Sequence, residues 1–541
     1  MVGPTLSRVP AVVNAIVAGL RYPISMPPRH QVFVAASLIV LLLGGFAANR
    51  AFAEQALPSA REILERVAAA AGPPPVREHL AIAFTSASLS GSNRTVRRGD
   101  DYHSVFEEGP LRTESGRVAG IVWHQNENGE TVRDLPDPGL ASQEGSETTV
   151  RRLAPPADGY VVTSLSLAGY GSREYVDAAT WRIVRRDVIA ASGTTATRYD
   201  DFRRVAGHER AWHWTLDDGH AENAADFKIV VDSDDEVADA ELAIPGDRRN
   251  LVEFPAGAQP VPLPVRFDRD QIYIRIEIAG RGLDFLLDTG ASEIAIDSEV
   301  AKQLGLSVVG VHSYAGSAQR FSGGHTIVPE MRIGDLRMHD VVVATIPSLR
   351  MGGARTKVVG LLGFDFIDAL GLKIDYAHHE ISAVSRDGFL PPGGDAIALD
   401  ARLGGGSPQV DVRLNGALGE RFVVDTGASG SLVIFDYFAR RYPNALVDLG
   451  GGENRGRRYA GVGGAIQTQP YQLQTIELGP LVFHKFVVYR VTSRSSFPVA
   501  ADGLIGADLL RYFDLYTDYA HARLYLAPND DGRAVARRAS Q

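Results

Sequence analysis

The sequence predicts a mainly β protein, in which two pseudo-symmetric β lobes follow a β-rich N-terminal domain with a short helix. Three observations predict it. The pentapeptide Asp-Thr-Gly-Ala-Ser occurs twice, at Asp288 to Ser292 and at Asp425 to Ser429, each time directly after an apolar run, Phe285-Leu286-Leu287 or Phe422-Val423-Val424. Each aspartate therefore stands where a buried strand breaks into a glycine turn. Around these loops further landmarks repeat in the same order. Tyr314-Ala315-Gly316 returns as Tyr459-Ala460-Gly461, Gly360-Leu361-Leu362-Gly363 as Gly503-Leu504-Ile505-Gly506, and Asp375-Tyr376-Ala377-His378 as Asp518-Tyr519-Ala520-His521. The offsets are 137 for the pentapeptide, 145 for the tyrosine segment and 143 for the other two, a drift that small loop insertions and deletions account for. Finally, the local hydrophobic period between the landmarks is that of strands.

At the N-terminus, Val32 to Phe46 is an apolar run preceded by Arg29 and followed by Ala51-Phe52-Ala53. This predicts a signal peptide over 1–53, with Met26 an alternative start and a mature end at Glu54. The chain would then be exported, periplasmic or secreted, and membrane-anchored if the segment is not cleaved. With no cysteine in 541 residues, disulfides and a lipid-modified cysteine are excluded, so an exported chain must rely on its cores.

Residues 54–250 read as the β-rich N-terminal domain. Ser59 with Glu62 three residues on is a capping box for a short helix carrying Ile63, Leu64 and Val67, which Gly72-Pro73-Pro74-Pro75 stops. Strand-like segments follow, punctuated by Asn128-Gly129, Asp177 to Thr180 and Ser192-Gly193, with an antiparallel meander from Tyr175 to Phe202. An acidic run, Asp232 to Glu236, leads to a Pro-rich linker over 251–264.

Lobe 1 is expected over 265–390. Ile272, Ile274, Ile276 and Ile278 alternate with polar or aromatic residues, the period of a half-buried strand, and a short helix follows the aspartate loop at about 298–304. Lobe 2 is expected over 391–530. Val410, Val412 and Leu414 alternate before the hairpin signal Asn415-Gly416, and a second short helix lies at about 436–442. His378 and His521 read as hairpin-turn residues, since no metal-ligand spacing surrounds them. The arginines of 531–541 read as a disordered tail.

The doubled loop resembles the aspartic peptidases, in particular the retropepsin-like lobes of bacterial proteins, over about half of the chain. In that family each lobe supplies one aspartate, so a chain with two lobes closes on itself as pepsin does. The resemblance implies an aspartic endopeptidase with Asp288 and Asp425 as the catalytic pair, acting on a peptide or protein substrate with no cofactor and no metal. Two carboxylates held about 3 Å apart cannot both ionise, so one keeps its proton while the other activates a water. Which does which is a property of the pair. Carried over by position, Thr289 and Thr426 cross-link the two loops, and Gly290 and Gly427 allow close backbone approach. Ser292 and Ser429 reach the outer carboxylate oxygens. Tyr314 with Gly316, and Tyr459 with Gly461, are candidates for flaps over the cleft.

The order of helix then meander in the N-terminal domain is similar to LolA/LolB-like lipoprotein carriers, which implies a lipid or peptide ligand there; an unrelated spacer or pro-region is the alternative. A rival from another class is therefore a non-catalytic lipid- or peptide-binding envelope protein that keeps the lobes as a scaffold. Lobes pairing within one chain predict that residues 252–541 fold alone as an active monomer. The net charge of -10 argues against nucleic-acid binding.

Overall fold

The computed structural model describes residues 57–539, apart from 87, 135–146, 156, 167–170, 191–192, 258–259, 317, 348–357, 404–405, 447–455, 462–463 and 494–500. The expected signal segment, its apolar run and its Ala51-Phe52-Ala53 site lie outside these residues. Among the described residues no helix is long and apolar enough to cross a membrane. The chain is mainly β, with a β-rich N-terminal region, a short helix and two barrel-like lobes.

The first helix, Ala60–Ala71, starts as its capping box dictates. The Glu62 amide donates to Ser59 Oγ at 3.2 Å and the Ser59 amide to Glu62 Oε2 at 2.7 Å, so two otherwise orphaned donors are satisfied. It ends at Gly72, whose φ of 80° a residue with a side chain would adopt only under strain. Its Ile63 is buried against Val162 and Val176 of the sheet. That sheet has 13 strands, running from Arg77–Ser86 to Ala225–Ser233, and these first and last strands pair with each other at its centre. The meander from Tyr175 to Phe202 is present, with Gly171–Asp177, Ile183–Ala190 and Gly193–Val205 paired antiparallel in sequence order.

The two lobes share one topology. In lobe 1 the strand Gly360–Leu362 lies between Arg281–Leu287, to which it runs parallel, and Ala295–Asp297. In lobe 2 the strand Gly503–Gly506 lies in the same way between Ala417–Asp425 and Leu432–Ile434. The glycine-rich landmarks are thus the strands that pack behind each aspartate loop. The short helices form at Ser298–Gln303 and Asp436–Arg441, and the Asn415-Gly416 turn has φ of 48° and 84°, the signs of a type I′ hairpin. A six-stranded sheet joins the lobes through the pairing of Leu370–Asp375 with Phe513–Asp518. His378 and His521 sit at its turns, each bonded to the aspartate three residues before it.

Four expectations need correction. Tyr273 is not on a half-exposed face: it is 2% exposed, because a second apolar cluster with Leu286, Tyr314 and Leu361 covers that side of the strand. The Pro-rich stretch is no free linker, since Val252–Glu253 and Val261–Pro262 each add to a lobe sheet and Leu251, Val252, Val261 and Leu263 are buried. The C-terminal arginines do not form a disordered tail: Asp530–Ala539 is a helix. Its start is held by Asn529 Oδ1, which accepts from the Gly532 amide at 3.0 Å, and by Arg533 on Asp395 at 2.8 Å. Lastly, Asn128 does more than turn the chain. Its side chain exchanges hydrogen bonds with the Val342 backbone at 2.9 and 3.1 Å and donates to Asp365 at 3.1 Å, which seats the N-terminal domain on lobe 1.

Candidate active site

Asp288 follows the strand Arg281–Leu287 and Asp425 ends the strand Ala417–Asp425, both wholly buried. The threonines beside them lock the loops together. Thr289 Oγ donates to the Val424 carbonyl at 2.6 Å and accepts from the Thr426 amide at 3.0 Å. Thr426 Oγ donates to the Leu287 carbonyl at 2.8 Å and accepts from the Thr289 amide at 3.1 Å. Three buried polar groups on each loop segment, a hydroxyl, an amide and a carbonyl, are satisfied by the opposite lobe, and the pattern is two-fold symmetric. The glycines then bring the acids together. A Cβ on Gly290 would stand 2.6 Å from Asp425 Cγ, and one on Gly427 would stand 2.6 Å from Asp288 Cγ. Any side chain at either position would displace a carboxyl group.

Gly363 and Gly506 are required for a similar reason, since a Cβ there would lie 2.2 Å from the carbonyl oxygens of Glu293 and Gly430, just past the two pentapeptides. Gln271 adds a link across the lobes by donating to the Gly427 carbonyl at 3.0 Å.

The electrostatics of the pair are unequal. Desolvation first, and then the negative charge of Asp425, push the Asp288 carboxyl well above the ordinary range, against the pull of the Gly290 and Ala291 amides. Burial raises Asp425 to about 6, and there the hydrogen bond from Asp288 and the Ala428 and Gly427 amides favour its charged form. Burial and mutual repulsion thus keep one proton on the pair while its other carboxyl can ionise. The Gly290 amide meets Asp288 Oδ1 and the Ala428 amide Asp425 Oδ1, each at 3.0 Å. Among the described residues no backbone or hydroxyl donor reaches Oδ2 of either acid. Ser292 and Ser429, expected to bond the carboxylates, stand half-buried at the loop edges and do not bond that oxygen.

Tyr314 lies on the strand Val309–Ala315, with Gly316 in the turn beyond it; Tyr459 lies on Arg458–Gly461, whose Gly461 pairs with Gly464. Both tyrosines are buried rather than presented at a rim. The two hairpins meet, since a Cβ on Gly464 would come within 3.2 Å of Ala318 Cβ. Tyr459 leans over Gly430, where a Cβ would be 3.1 Å from its hydroxyl, whereas the Tyr314 hydroxyl stands 3.2 Å from His325 Nε2. Sequence reasoning missed Gln271, Glu293 and His325. The signal for Glu293 was present, because it and Gly430 are the first residues at which the two loops differ.

A model of the aspartyl protease family matches residues 274–366 and 410–509. No curated protein matches the chain. Among solved structures, an aspartic proteinase from Irpex lacteus is 13% identical, covers 51% of this chain and 99% of its own, and superposes with a TM-score of 0.33. A LolA superfamily protein from Nitrosomonas europaea is 13% identical, covers 35% of this chain and 98% of its own, with a TM-score of 0.28. Each stretch matched by the aspartyl protease model carries one Asp-Thr-Gly-Ala-Ser loop, so the similarity falls on the two lobes and takes in both buried aspartates.

Proposed function

We propose that the paired lobes are an aspartic endopeptidase working with Asp288 and Asp425. The observation that carries the reading is the reciprocal threonine cross-link, which holds the two acids over each other's glycine in a buried site. Charged Asp425 takes a proton from a water whose oxygen attacks the scissile carbonyl carbon. Asp288 gives its proton to the carbonyl oxygen, so the gem-diol forms without a free oxyanion. In the second half the proton on Asp425 goes to the leaving nitrogen as the C–N bond breaks, and Asp288 recovers a proton from the gem-diol. With the two hairpins touching at Gly464 and Ala318, a peptide would enter the cleft when they part. We further propose that the chain is exported, from its N-terminal segment. Any ligand of the N-terminal domain would occupy the apolar hollow lined by Phe84, Phe106, Leu216 and Phe227, which Val311 and His312 of lobe 1 also border.

Binding of a statine-type transition-state mimic tests the reading. The parent should bind it orders of magnitude more tightly than Asp288→Asn or Asp425→Asn. Peptide cleavage should rise with pH through about 6, where Asp425 ionises, and fall again once Asp288 loses its proton. Equal binding by parent and variants would leave the scaffold alternative.

A further inference from the structure

The first residue after each pentapeptide breaks the symmetry of the lobes, being Glu293 in lobe 1 and Gly430 in lobe 2. We propose that Glu293 and His325 are a positioning pair that ties the lobe 1 hairpin, through Tyr314, to the Asp288 loop. One flap is then fastened to its catalytic loop while the other is not. The inference rests on the peptidase reading for its effect on turnover, but not for the linkage itself.

Glu293 Oε2 lies 3.2 Å from His325 Nε2, and the same nitrogen lies 3.2 Å from the Tyr314 hydroxyl. Glu293 is 1%, His325 3% and Tyr314 1% exposed, so the three polar ends meet away from water. A hydrogen bond buried there is stronger than at a surface and costly to leave unmade. The three residues come from three pieces of chain: the aspartate loop, the strand Arg320–Ile333 and the strand Val309–Ala315. Tyr314 is fixed further by stacking on Phe321 at 5.5 Å, and the His312 ring stands 5.2 Å from that of His325. His312 in turn faces Glu108 of the N-terminal domain at 4.0 Å.

Among the described residues lobe 2 has no such tie. Tyr314 pairs across its hairpin with Phe321 and Tyr459 with Ile466, so the 145 offset holds along both hairpins. At that offset the counterpart of His325 is Pro470, which has no side-chain donor, and the counterpart of Glu293 at the loop is Gly430. A side chain at Gly430 would run into Tyr459. The tyrosine of lobe 2 therefore packs on the loop directly.

Hydrogen–deuterium exchange and kinetics on the full chain test the tie. Glu293→Gly, which imposes the lobe 2 arrangement, and His325→Phe, which keeps a ring without the N–H, should each speed amide exchange at 309–324. The change expected from losing one buried hydrogen bond is about tenfold. Exchange at 458–461 and 464–467 should not change. KM should rise more than kcat falls, since closure over the substrate is loosened rather than the acids altered. Glu293→Gln keeps an acceptor for His325 and should restore both readouts toward the parent. Unaltered exchange at 309–324 in whichever of the first two variants folds would overturn the tie, and so would a Glu293→Gln protein as loosened as Glu293→Gly. A parent that cleaves no peptide yet shows the predicted exchange would overturn the peptidase reading and leave the tie standing.

Discussion

Asp425 is held in a place where ionising it works against the fold. Its carboxyl is raised from an ordinary 3.8 to about 6 by burial. A carboxyl raised on folding stabilises the protein fully below its unfolded pKa, and that contribution is lost as pH rises through the folded value. The cost at pH 7.5 is about 3 kcal/mol, from a shift of about two pH units at roughly 1.4 kcal/mol each. Replacing it with the uncharged isostere should remove that cost. Urea unfolding of Asp425→Asn is expected to show a gain of this size over the parent at pH 7.5 and little difference at pH 4. A variant no more stable than the parent at both pH values would mean the site is wetter than its geometry indicates. At this scale the sequence was most legible at the acids, because both sit in a motif whose spacing repeats. Glu293 and His325 escaped, since 32 residues separate them and neither belongs to a repeated segment.

Among elements, the crossed loops hold four buried backbone groups answered by side chains of the opposite lobe. Thr289→Val would strip the Thr426 amide and the Val424 carbonyl of their partners. Two buried groups left unmade should cost about 2–4 kcal/mol. Thr289→Ser keeps the hydroxyl and should lose less than half of that, and chemical denaturation of the three proteins checks the order. The strands behind the loops, the two short helices and the Asn415-Gly416 hairpin were legible from apolar period, caps and turn chemistry. The added strands Val252–Glu253 and Val261–Pro262 were not. A two-residue pairing leaves no period, and prolines read as breakers unless the partner strand, some 80 to 120 residues away, is known. The helix Asp530–Ala539 was missed because its arginine-rich sequence is polar overall, while its cap, Asn529, is itself anchored on Arg511.

On the scale of the whole molecule, the N-terminal domain is built onto lobe 1. Asn126 and Asn128 both donate to Asp365, at 3.3 and 3.1 Å, and Val132 joins the core that the two lobes share. Asn223 accepts from the Ser313 amide at 3.0 Å and Glu222 from the Ser322 hydroxyl at 2.6 Å, so the domain also holds the lobe 1 hairpin. The expectation that residues 252–541 fold alone must therefore meet the loss of these contacts. That fragment should melt well below the full chain and exchange faster at 309–324, by calorimetry and amide exchange. A fragment as stable as the whole would show that the docking contributes nothing. None of this was legible in sequence, where Asn128-Gly129 reads only as a turn, because the polar groups it satisfies lie more than 200 residues away.

The central claim is that Asp288 and Asp425 act as one unit on one water, and a double-mutant cycle on cleavage by the full chain tests it most directly. Asp288→Asn and Asp425→Asn should each lower kcat/KM by several orders of magnitude while the protein stays folded. The double variant should be little worse than either, since groups acting as a unit are grossly non-additive. Additive losses, or cleavage that survives either substitution, would contradict the account.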